Sequence, residues 1–354
     1  MASPASRRSM GALTLGLVLP AGPSVGAGFQ TRARSAEVPW MAAEQLSATD
    51  LREAARALGI DCEVVAVPAH SARADFELEP VADLLRRRCA DLDRVLIVGH
   101  GHLGGSGRLH AAARACGLPV LGPSELAIAL AYDKLEARRR LNHFNLPIPR
   151  TVALDADPSG DQLERLGWPC VLKPRRGAAG AGIRRLDDAS KIRAALSQAL
   201  RVDRELLLER EVVGRELSVV LVHGEVLGVA EIDRSWRDDE LRTSSMVCPP
   251  NLSVSERAGV VNLARRAAAA LQLTDGPTVV DLLVSERENE VVLEVEALPP
   301  LHRDGVVARV ARAAGLSYPR LCAQIFAGPI DRRRARPAMN SFENSFNTWA
   351  AAPH

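Results

Sequence analysis

Three acidic residues lie in two apolar segments of the chain, where carboxylates are unusual. Asp281 follows Val280, while Glu294 and Glu296 stand on either side of Val295. Alternate residues of a strand share one face, so Glu294 and Glu296 would point the same way, opposite Asp281 across a hairpin. Buried like charges are costly without a cation, and Mg²⁺ prefers carboxylate and phosphate oxygens. The pattern therefore predicts a site for Mg²⁺, or for Mn²⁺, and the alternative is a solvated sheet face.

A glycine-rich loop comes directly after a short apolar strand that ends near Lys173. Its glycines, Gly177, Gly180 and Gly182, alternate with small residues. Glycine lets backbone amides approach an anion closely, and a lysine beside them adds a compact positive charge. The loop favours phosphate binding, although by itself it is a weak signal and also serves as an ordinary hairpin turn.

Lysine is rare in this sequence. The chain has 45 Lys+Arg, and only Lys134, Lys173 and Lys191 are lysines. A tight anion site shaped for an ammonium would not admit the wide guanidinium fork, which favours functional roles for Lys134 and Lys173. Lys191 is expected to be an ordinary solvated helix charge. The alternative interpretation is chance sampling of a rare residue.

Composition narrows the class of protein. A length of 354 residues suggests two or three domains. A net charge of +2, 3% aromatic residues and the lack of a basic stripe predict no nucleic-acid partner. No apolar run is long enough to span a membrane, so no membrane partner is expected. The six cysteines lie far apart without metal-binding spacing, as expected for small apolar residues in a reducing compartment.

The N-terminal stretch has two interpretations. Arg7 and Arg8 precede the apolar residues 10–19 and small residues, a pattern that imitates a secretory signal. The other interpretation makes residues 13–19 the first buried strand of a sheet. We favour the strand because a nucleotide-using enzyme belongs in the cytosol, so a cytoplasmic protein is expected.

The elements that must position these residues follow from the order of apolar segments. Strands alternating with helices over residues 13–121 predict a parallel sheet with right-handed crossovers. Its third strand leads into the loop 99–107, where His100 and His102 are interpreted as loop polar groups first and substrate contacts second. Beyond residue 151, short strands separated by turns predict antiparallel sheets. Residues 233–245 carry few apolar side chains and are expected to form a mobile loop.

Taken together, these features give a resemblance to the ATP-grasp superfamily, specifically to the D-alanine–D-alanine ligase family, from about residue 13 to residue 326. The segments that match family motifs in order are Tyr132-Asp133-Lys134, Leu146-Pro147-Ile148-Pro149, Val171-Leu172-Lys173-Pro174, residues 209–216, Cys248-Pro249, Val280-Asp281 and residues 293–299. The resemblance implies an α/β fold of three parts, in which an N-terminal parallel α/β domain precedes two α+β subdomains that sandwich the nucleotide. The implied boundaries are 10–123, 124–211 and 212–330, followed by a disordered tail at 331–354.

The resemblance also implies roles for individual residues. Lys134 and Lys173 would hold the phosphates of ATP, and Glu216 would bind the ribose hydroxyls. The residues that would frame the adenine, two of them through their backbone, are Glu209, Arg210 and Val212. The residues that would hold magnesium are Asp281, Glu294 and Glu296. The family's ligases phosphorylate a carboxylate to an acyl phosphate, which an amine then attacks to form a peptide bond.

Departures from the family pattern fall mostly in the substrate half, and they leave the catalytic residues unassigned. The arginine that would stabilise the oxyanion, two residues before the metal aspartate, is Val279, a loss that typically costs about a hundredfold or more in rate. The family's metal asparagine is Glu296. Arg303 or His302 could supply a replacement donor. The other replaced positions are Pro23-Ser24-Val25-Gly26, Gly105-Ser106, Ala179, the mobile-loop tyrosine near 232–236, Leu298-Pro299-Pro300-Leu301 and Gly305.

Three functional hypotheses follow. The main one is an ATP-dependent carboxylate–amine ligase that joins an amino acid or related acid to an amine, with substrates other than two D-alanines. The second is an ATP-binding relative without ligase activity that regulates or scaffolds. The third is a true D-alanine–D-alanine ligase of peptidoglycan synthesis. The partners expected are small-molecule acids and amines, and the family resemblance implies a homodimer.

Overall fold

The computed structural model describes residues 13–21, 40–68, 78–99, 104–154, 166–177, 180–285 and 290–329. The predicted tail at 331–354, the residues 1–12 that open the signal-like stretch, and the loop histidines His100 and His102 lie outside the described residues.

The first sheet is parallel, as predicted. Its strands are β1 (Thr14–Ala21), β2 (Asp61–Pro68), β3 (Arg94–Ile97) and β4 (Val120–Leu121), in the order β2-β1-β3-β4. The helices between them are α1 (Trp40–Ala57), α2 (Leu78–Cys89) and α3 (Arg108–Ala115). Leu15 and Leu17 of β1 are fully buried. The strand predicted at residues 13–19 is therefore an interior strand of this sheet.

Two helices connect the first sheet to the second. They are α4 (Glu125–Tyr132), capped by Ser124, and α5 (Lys134–His143), capped by Asp133. The second sheet contains β5 (Thr151–Leu154), β6 (Cys170–Pro174), β7 (Arg184–Leu186) and β8 (Leu206–Arg210), in the antiparallel order β5-β8-β6-β7. A 3-10 turn (Ala189–Lys191) and helix α6 (Ile192–Ala199) lie between β7 and β8.

The third sheet is also antiparallel. Its strands are β9 (Arg215–Val222), β10 (Glu225–Arg237), β11 (Glu240–Val247), β12 (Pro277–Val284) and β13 (Val291–Glu296), in the order β11-β10-β9-β12-β13. Helix α7 (Val254–Ala270) opens with a capping box between Ser253 and Glu256. Helices α8 (Val306–Ala313) and α9 (Tyr318–Phe326) complete the fold.

The prediction of a mobile loop at residues 233–245 is wrong, because this segment forms the hairpin β10–β11. The two residues of its turn, Asp238 and Asp239, have φ of 51° and 63°, the left-handed conformation that a two-residue hairpin turn requires. Near the turn, β10 and β11 extend beyond the rest of the sheet, so neither face of the hairpin needs apolar side chains. The alternation of apolar and polar residues that is typical of a half-buried strand is therefore absent. The paired aspartates were the available signal.

Apolar contacts join the first and third sheets, whereas the second sheet has a core of its own. One core contains Leu15 and Leu17 of β1 together with Val220 of β9 and Phe326 of α9. A second core packs α4 and α5 against β12 and β13. The three sheets follow the predicted order along the chain, while the exact boundaries after residues 123 and 211 stay predictions. Among the described helices, none is both long enough and apolar enough to cross a membrane.

Candidate active site

Asp133 fixes the junction between α4 and α5. Its carboxylate accepts the Glu136 backbone N–H at 3.2 Å, which caps α5, and accepts Arg175 Nε at 2.7 and 2.9 Å. The Lys134 backbone N–H donates to the Arg175 carbonyl at 3.0 Å. Because Arg175 directly follows β6, the first turn of α5 is held against the strand that leads into the glycine loop.

Lys134 connects the glycine loop to the acidic strand β13. Its Nζ donates to the Gly177 carbonyl oxygen at 3.0 Å and lies 3.1 Å from Glu294 Oε1. Only 7% of Lys134 is exposed. The structure thus brings together one predicted phosphate lysine, the predicted phosphate loop and one predicted metal carboxylate.

Lys173 lies on β6 and pairs with a buried carboxylate on β8. Its Nζ is 2.5 Å from Glu209 Oε2, and Arg138 Nε is 2.8 Å from Glu209 Oε1. Burial alone would raise the pKa of Glu209, but the charges of Arg138 and Lys173 outweigh it and lower the pKa to about 2. Glu209 therefore stays ionised and holds the Lys173 ammonium in place.

Arg138 is a member of this network that the sequence analysis missed. It is 4% exposed and also donates to the Leu293 carbonyl of β13. Its position four residues after Lys134 on α5 places both side chains on one helix face. That spacing was the signal in the sequence, and the long-range partner could be seen only in the fold.

The predicted metal residues occupy one face of the β12–β13 pair. Asp281 is directly opposite Glu294 across the ladder, and Glu296 is the next residue on the same face of β13. Ser218 of β9 donates its hydroxyl to Asp281 Oδ1 at 2.5 Å. The Glu294 side chain is 37% exposed, so solvent reaches the cleft that these acids line.

The charges of these three acids are unequally compensated. Burial opposes ionisation of Glu294, but Lys134 and Lys173 lower its pKa. Burial, together with the neighbouring Asp281 and Glu294 charges, raises the pKa of Glu296 to about 8. Burial also raises the pKa of Asp281, against the charge of Arg234. Among the described side chains, Lys134 pairs with Glu294, and no ion pair forms with Asp281 or Glu296.

This donor set fits a divalent cation by its chemistry. Carboxylate oxygens with uncompensated charge are what Mg²⁺ binds. Within the described part of the chain, no three acidic, histidine or cysteine side chains already form a metal-ligand group. Lys134 pairs with Glu294, and the Ser218 hydroxyl donates to Asp281. The three acids therefore suit a divalent cation because they are carboxylates on one face of the sheet. Their oxygens are not already arranged at metal-ligand distances.

The remaining predicted nucleotide residues follow β8 and open β9. Arg210 ends β8, and its backbone N–H donates to the Arg150 carbonyl at 2.9 Å. Val212 lies in the short connection between the two antiparallel sheets. Glu216 of β9 pairs with Arg234 of β10. Burial and the charge of Asp281 raise the pKa of Glu216, against the opposing charge of Arg234. Arg234 was also missed by the sequence analysis, which treated its segment as a loop.

The substrate half of the cleft differs from the family pattern in a physically consistent way. Val279, at the position expected for the oxyanion arginine, is 2% exposed and belongs to the core that contains Leu96 and Leu301. A Cβ at Gly105 would lie 2.4 Å from the Tyr132 ring, so Tyr132 takes the space beside the position of the family's acidic pair. An open cleft of about 440 Å³ is lined by Gly105 and Tyr132 on one side and by Glu294 and Glu296 on the other.

Arg303 and His302 gain no support as replacement donors. Arg303 Nε is 3.2 Å from Asp50 Oδ1, and its Nη2 is 2.9 Å from Glu53 Oε2, both on α1. The Arg303 guanidinium also stacks on the Tyr318 ring at 5.0 Å. His302 is half-buried, and burial lowers its pKa. Arg303 therefore serves the contact between α1 and the segment after β13.

Comparison with known proteins identifies the family. Residues 148–327 match the family model described as D-ala D-ala ligase C-terminus, which covers half of the chain. A D-alanine--D-alanine ligase of Bordetella pertussis is 30% identical over 296 residues, which are 80% of this chain and 89% of that protein. The chain belongs to the D-alanine–D-alanine ligase family. A ligase of the same description from Ectopseudomonas mendocina is 29% identical over 270 residues, 73% of this chain and 85% of that protein.

Solved structures show the same fold for this family member. The D-alanine--D-alanine ligase of Bacillus anthracis superposes with a TM-score of 0.74 at 19% identity, covering 89% of this chain and 96% of that chain. The VanG D-Ala:D-Ser ligase of Enterococcus faecalis gives 0.71 at 18% identity, covering 89% of this chain and 98% of that chain. The predicted ATP-grasp fold and the predicted enzyme class, an ATP-dependent ligase that forms a C–N bond, are confirmed by these matches.

Proposed function

We propose that this family member uses ATP and Mg²⁺ to join an amino acid or related acid to an amine, and that its substrates are not two D-alanines. The observation that carries the proposal is the position of Lys134, whose ammonium contacts both the glycine loop and Glu294. Phosphoryl transfer needs positioning and charge neutralisation above all. A phosphate loop and metal-type carboxylates that share one lysine meet that need.

The proposed reaction has two steps. A carboxylate oxygen of the first substrate attacks the γ-phosphorus of ATP, the bond to the oxygen of ADP breaks, and an acyl phosphate forms. The amine of the second substrate then attacks the carbonyl carbon, loses a proton and expels phosphate. Lys134 and Lys173 would bind the phosphates, and Glu216 the ribose. Asp281, Glu294 and Glu296 would hold Mg²⁺, which neutralises phosphate charge when bound; Mn²⁺ has similar ligand preferences.

Glu209, Arg210 and Val212 are proposed to frame the adenine. Support comes from their place at the connection between the two antiparallel sheets, where a nucleotide between the sheets would lie. The carboxylate of Glu209 already binds Lys173 and Arg138. Its contribution to the adenine site would therefore come from the backbone.

Substrates other than two D-alanines are supported by the walls of the cleft. At the position expected for the family's cation, Val279 is buried in the apolar core, and Tyr132 packs over Gly105 at the position expected for the family's acids. The described lining residues beside the carboxylates include Ile128, Ala297 and Leu298. We therefore expect the accepted amino acid to carry an apolar side chain. The D-Ala:D-Ser ligase shows that this fold accommodates a changed substrate.

The test is a screen of acid and amine pairs, with ADP and phosphate release as the readout. The expected result is ADP release that depends on one apolar amino acid and stops in Lys173→Ala. Tight ATP binding without turnover across the panel would favour an ATP-binding relative without ligase activity. The buried Val279, at the position expected for the oxyanion arginine, is the observation that favours this alternative. Turnover with D-alanine alone would favour a true D-alanine–D-alanine ligase.

Two further expectations belong with this function. Because it consumes ATP, we propose that the protein acts in the cytoplasm. A homodimer is expected from the family, and sedimentation of the purified chain would test it.

A further inference from the structure

The hairpin β10–β11 crosses from the third sheet to the second. At its turn, the Asp239 carboxylate lies 3.0 Å from Lys191 Nζ, and the Asp239 carbonyl accepts the Arg185 backbone N–H at 3.1 Å. Beside the turn, Glu240 is 2.9 Å from Arg184. Both ends of the hairpin are thus fixed, one in each sheet, and its middle passes the cleft between them.

Arg234 is the residue of this hairpin that faces the acids. It follows the irregularity in the β10–β11 pairing after Asp233, and its Nε donates to Thr243 Oγ1 on the opposite strand at 3.2 Å. Its guanidinium pairs with Glu216, and the charges of Asp281, Glu296 and Glu294 also act on it. The side chain is 31% exposed, so a bound ligand could reach it.

The position of Arg234 lies along the path of a triphosphate. Glu216 is the proposed ribose residue, and the three acids on β12 and β13 are the proposed metal residues. A nucleotide with its ribose at Glu216 and its phosphates at the three acids would pass the Arg234 guanidinium. Arginine forms a forked pair with phosphate oxygens, a geometry that lysine does not offer.

We propose that Arg234 is a phosphate-binding residue that donates to the transferred γ-phosphoryl group. This inference rests on the proposed function and deepens it. Arg234 neutralises charge that spreads over the phosphoryl oxygens while the bond to ADP breaks, and it neither gives nor takes a proton. It thereby supplies from β10 a positive charge that Val279 of β12 does not. The competing explanation is that Arg234 only neutralises Glu216.

The test compares nucleotides that differ by one phosphate. Calorimetry in the presence of Mg²⁺ would give the Kd of a non-hydrolysable ATP analogue and of ADP for the wild-type chain, Arg234→Ala and Arg234→Lys. We expect Arg234→Ala to raise the Kd of the triphosphate about 10- to 100-fold and to leave that of ADP unchanged. Arg234→Lys should fall between. Arg237→Ala, an exposed arginine of the same strand, is the matched control.

The outcomes separate this inference from the proposed function. An equal loss of affinity for ADP and the triphosphate, or no loss for either, would overturn the γ-phosphoryl assignment. Since the comparison uses binding alone, it decides the role of Arg234 even if the substrate screen finds no turnover. If the screen succeeds, Arg234→Ala should lower kcat by about a thousandfold while Arg237→Ala keeps it.

Discussion

Buried ion pairs hold the nucleotide-facing lysines in position. Lys173 would be free to move at the end of β6 without the Glu209 carboxylate, which Arg138 binds from the other side. The cost of burying Glu209 is offset because it has two cationic partners and a hydrogen bond from Thr151. Removing the carboxylate would leave two positive charges close together in a poorly solvated place.

Glu209→Gln is expected to destabilise the fold by about 3 kcal/mol near neutral pH. The folded pKa of Glu209, about 2, lies below its unfolded value. This stabilisation is therefore present above the unfolded pKa and is lost as pH falls through the folded one. Urea unfolding at neutral and acidic pH would measure it. Glu225→Gln, in an exposed pair with Arg265, should change stability little at any pH; equal effects of the two variants would contradict the argument.

Glu296 is expected to release a proton when Mg²⁺ and ATP bind. Its pKa of about 8 keeps the Glu296 carboxyl mostly protonated at neutral pH, whereas a metal ligand must be ionised. Calorimetric heats measured in buffers of different ionisation enthalpy should therefore differ for the wild type, and the difference should shrink as pH rises above the pKa. Glu296→Gln should reduce it. Identical heats in all buffers for the wild type would count against the magnesium role.

At the scale of elements, the β10–β11 hairpin is the part of the fold that the two antiparallel sheets share. Lys191, expected to be an ordinary surface charge, instead pairs with Asp239 of the turn as well as with Asp187. Lys134 of α5 and Lys173 of β6 thus pair with acids of the site, whereas Lys191 contacts the hairpin turn. The exposed pairs at the turn contribute little to stability, so we expect this hairpin to open as ATP enters.

Asp239→Asn is expected to loosen this contact without unfolding the protein. Asparagine keeps the left-handed turn conformation and removes the charge. Hydrogen exchange of the hairpin amides should become faster, and a fluorescent ATP analogue should dissociate a few times faster, while the free energy of unfolding changes by less than about 1 kcal/mol. Unchanged exchange and dissociation would show that the ion pair does not hold the hairpin.

At the scale of the whole molecule, the cleft is assembled from all three parts of the chain. Helices α4 and α5 pack on the third sheet, yet the first turn of α5 is bonded to the second sheet through Asp133 and Arg175. A bound nucleotide would add contacts across the same junction. Binding to the folded state alone raises its stability by mass action.

Lys134→Met is expected to remove most of the rise in unfolding temperature that Mg²⁺ and ATP produce. Its ammonium is the point where the glycine loop and Glu294 meet, so its loss uncouples the two sides of the site. Thermal unfolding with and without nucleotide would measure the effect. Arg139→Met, an exposed residue of the same helix that pairs with Glu136, should keep the full shift. A full shift in Lys134→Met would remove this lysine from the nucleotide site.

The sequence by itself determined the parallel first sheet, the antiparallel sheets and the grouping of Asp281, Glu294 and Glu296 on one face. These features depend on periodicity and on residues near each other in the chain, which local patterns record. Only the tertiary structure showed Arg138 bound to Glu209, Arg234 paired with Glu216 and Lys191 paired with Asp239 of the hairpin turn. Their partners lie 71, 18 and 48 residues away. A charged side chain on an apparent surface segment carries no local sign of which distant carboxylate it will meet, because packing of the sheets decides that.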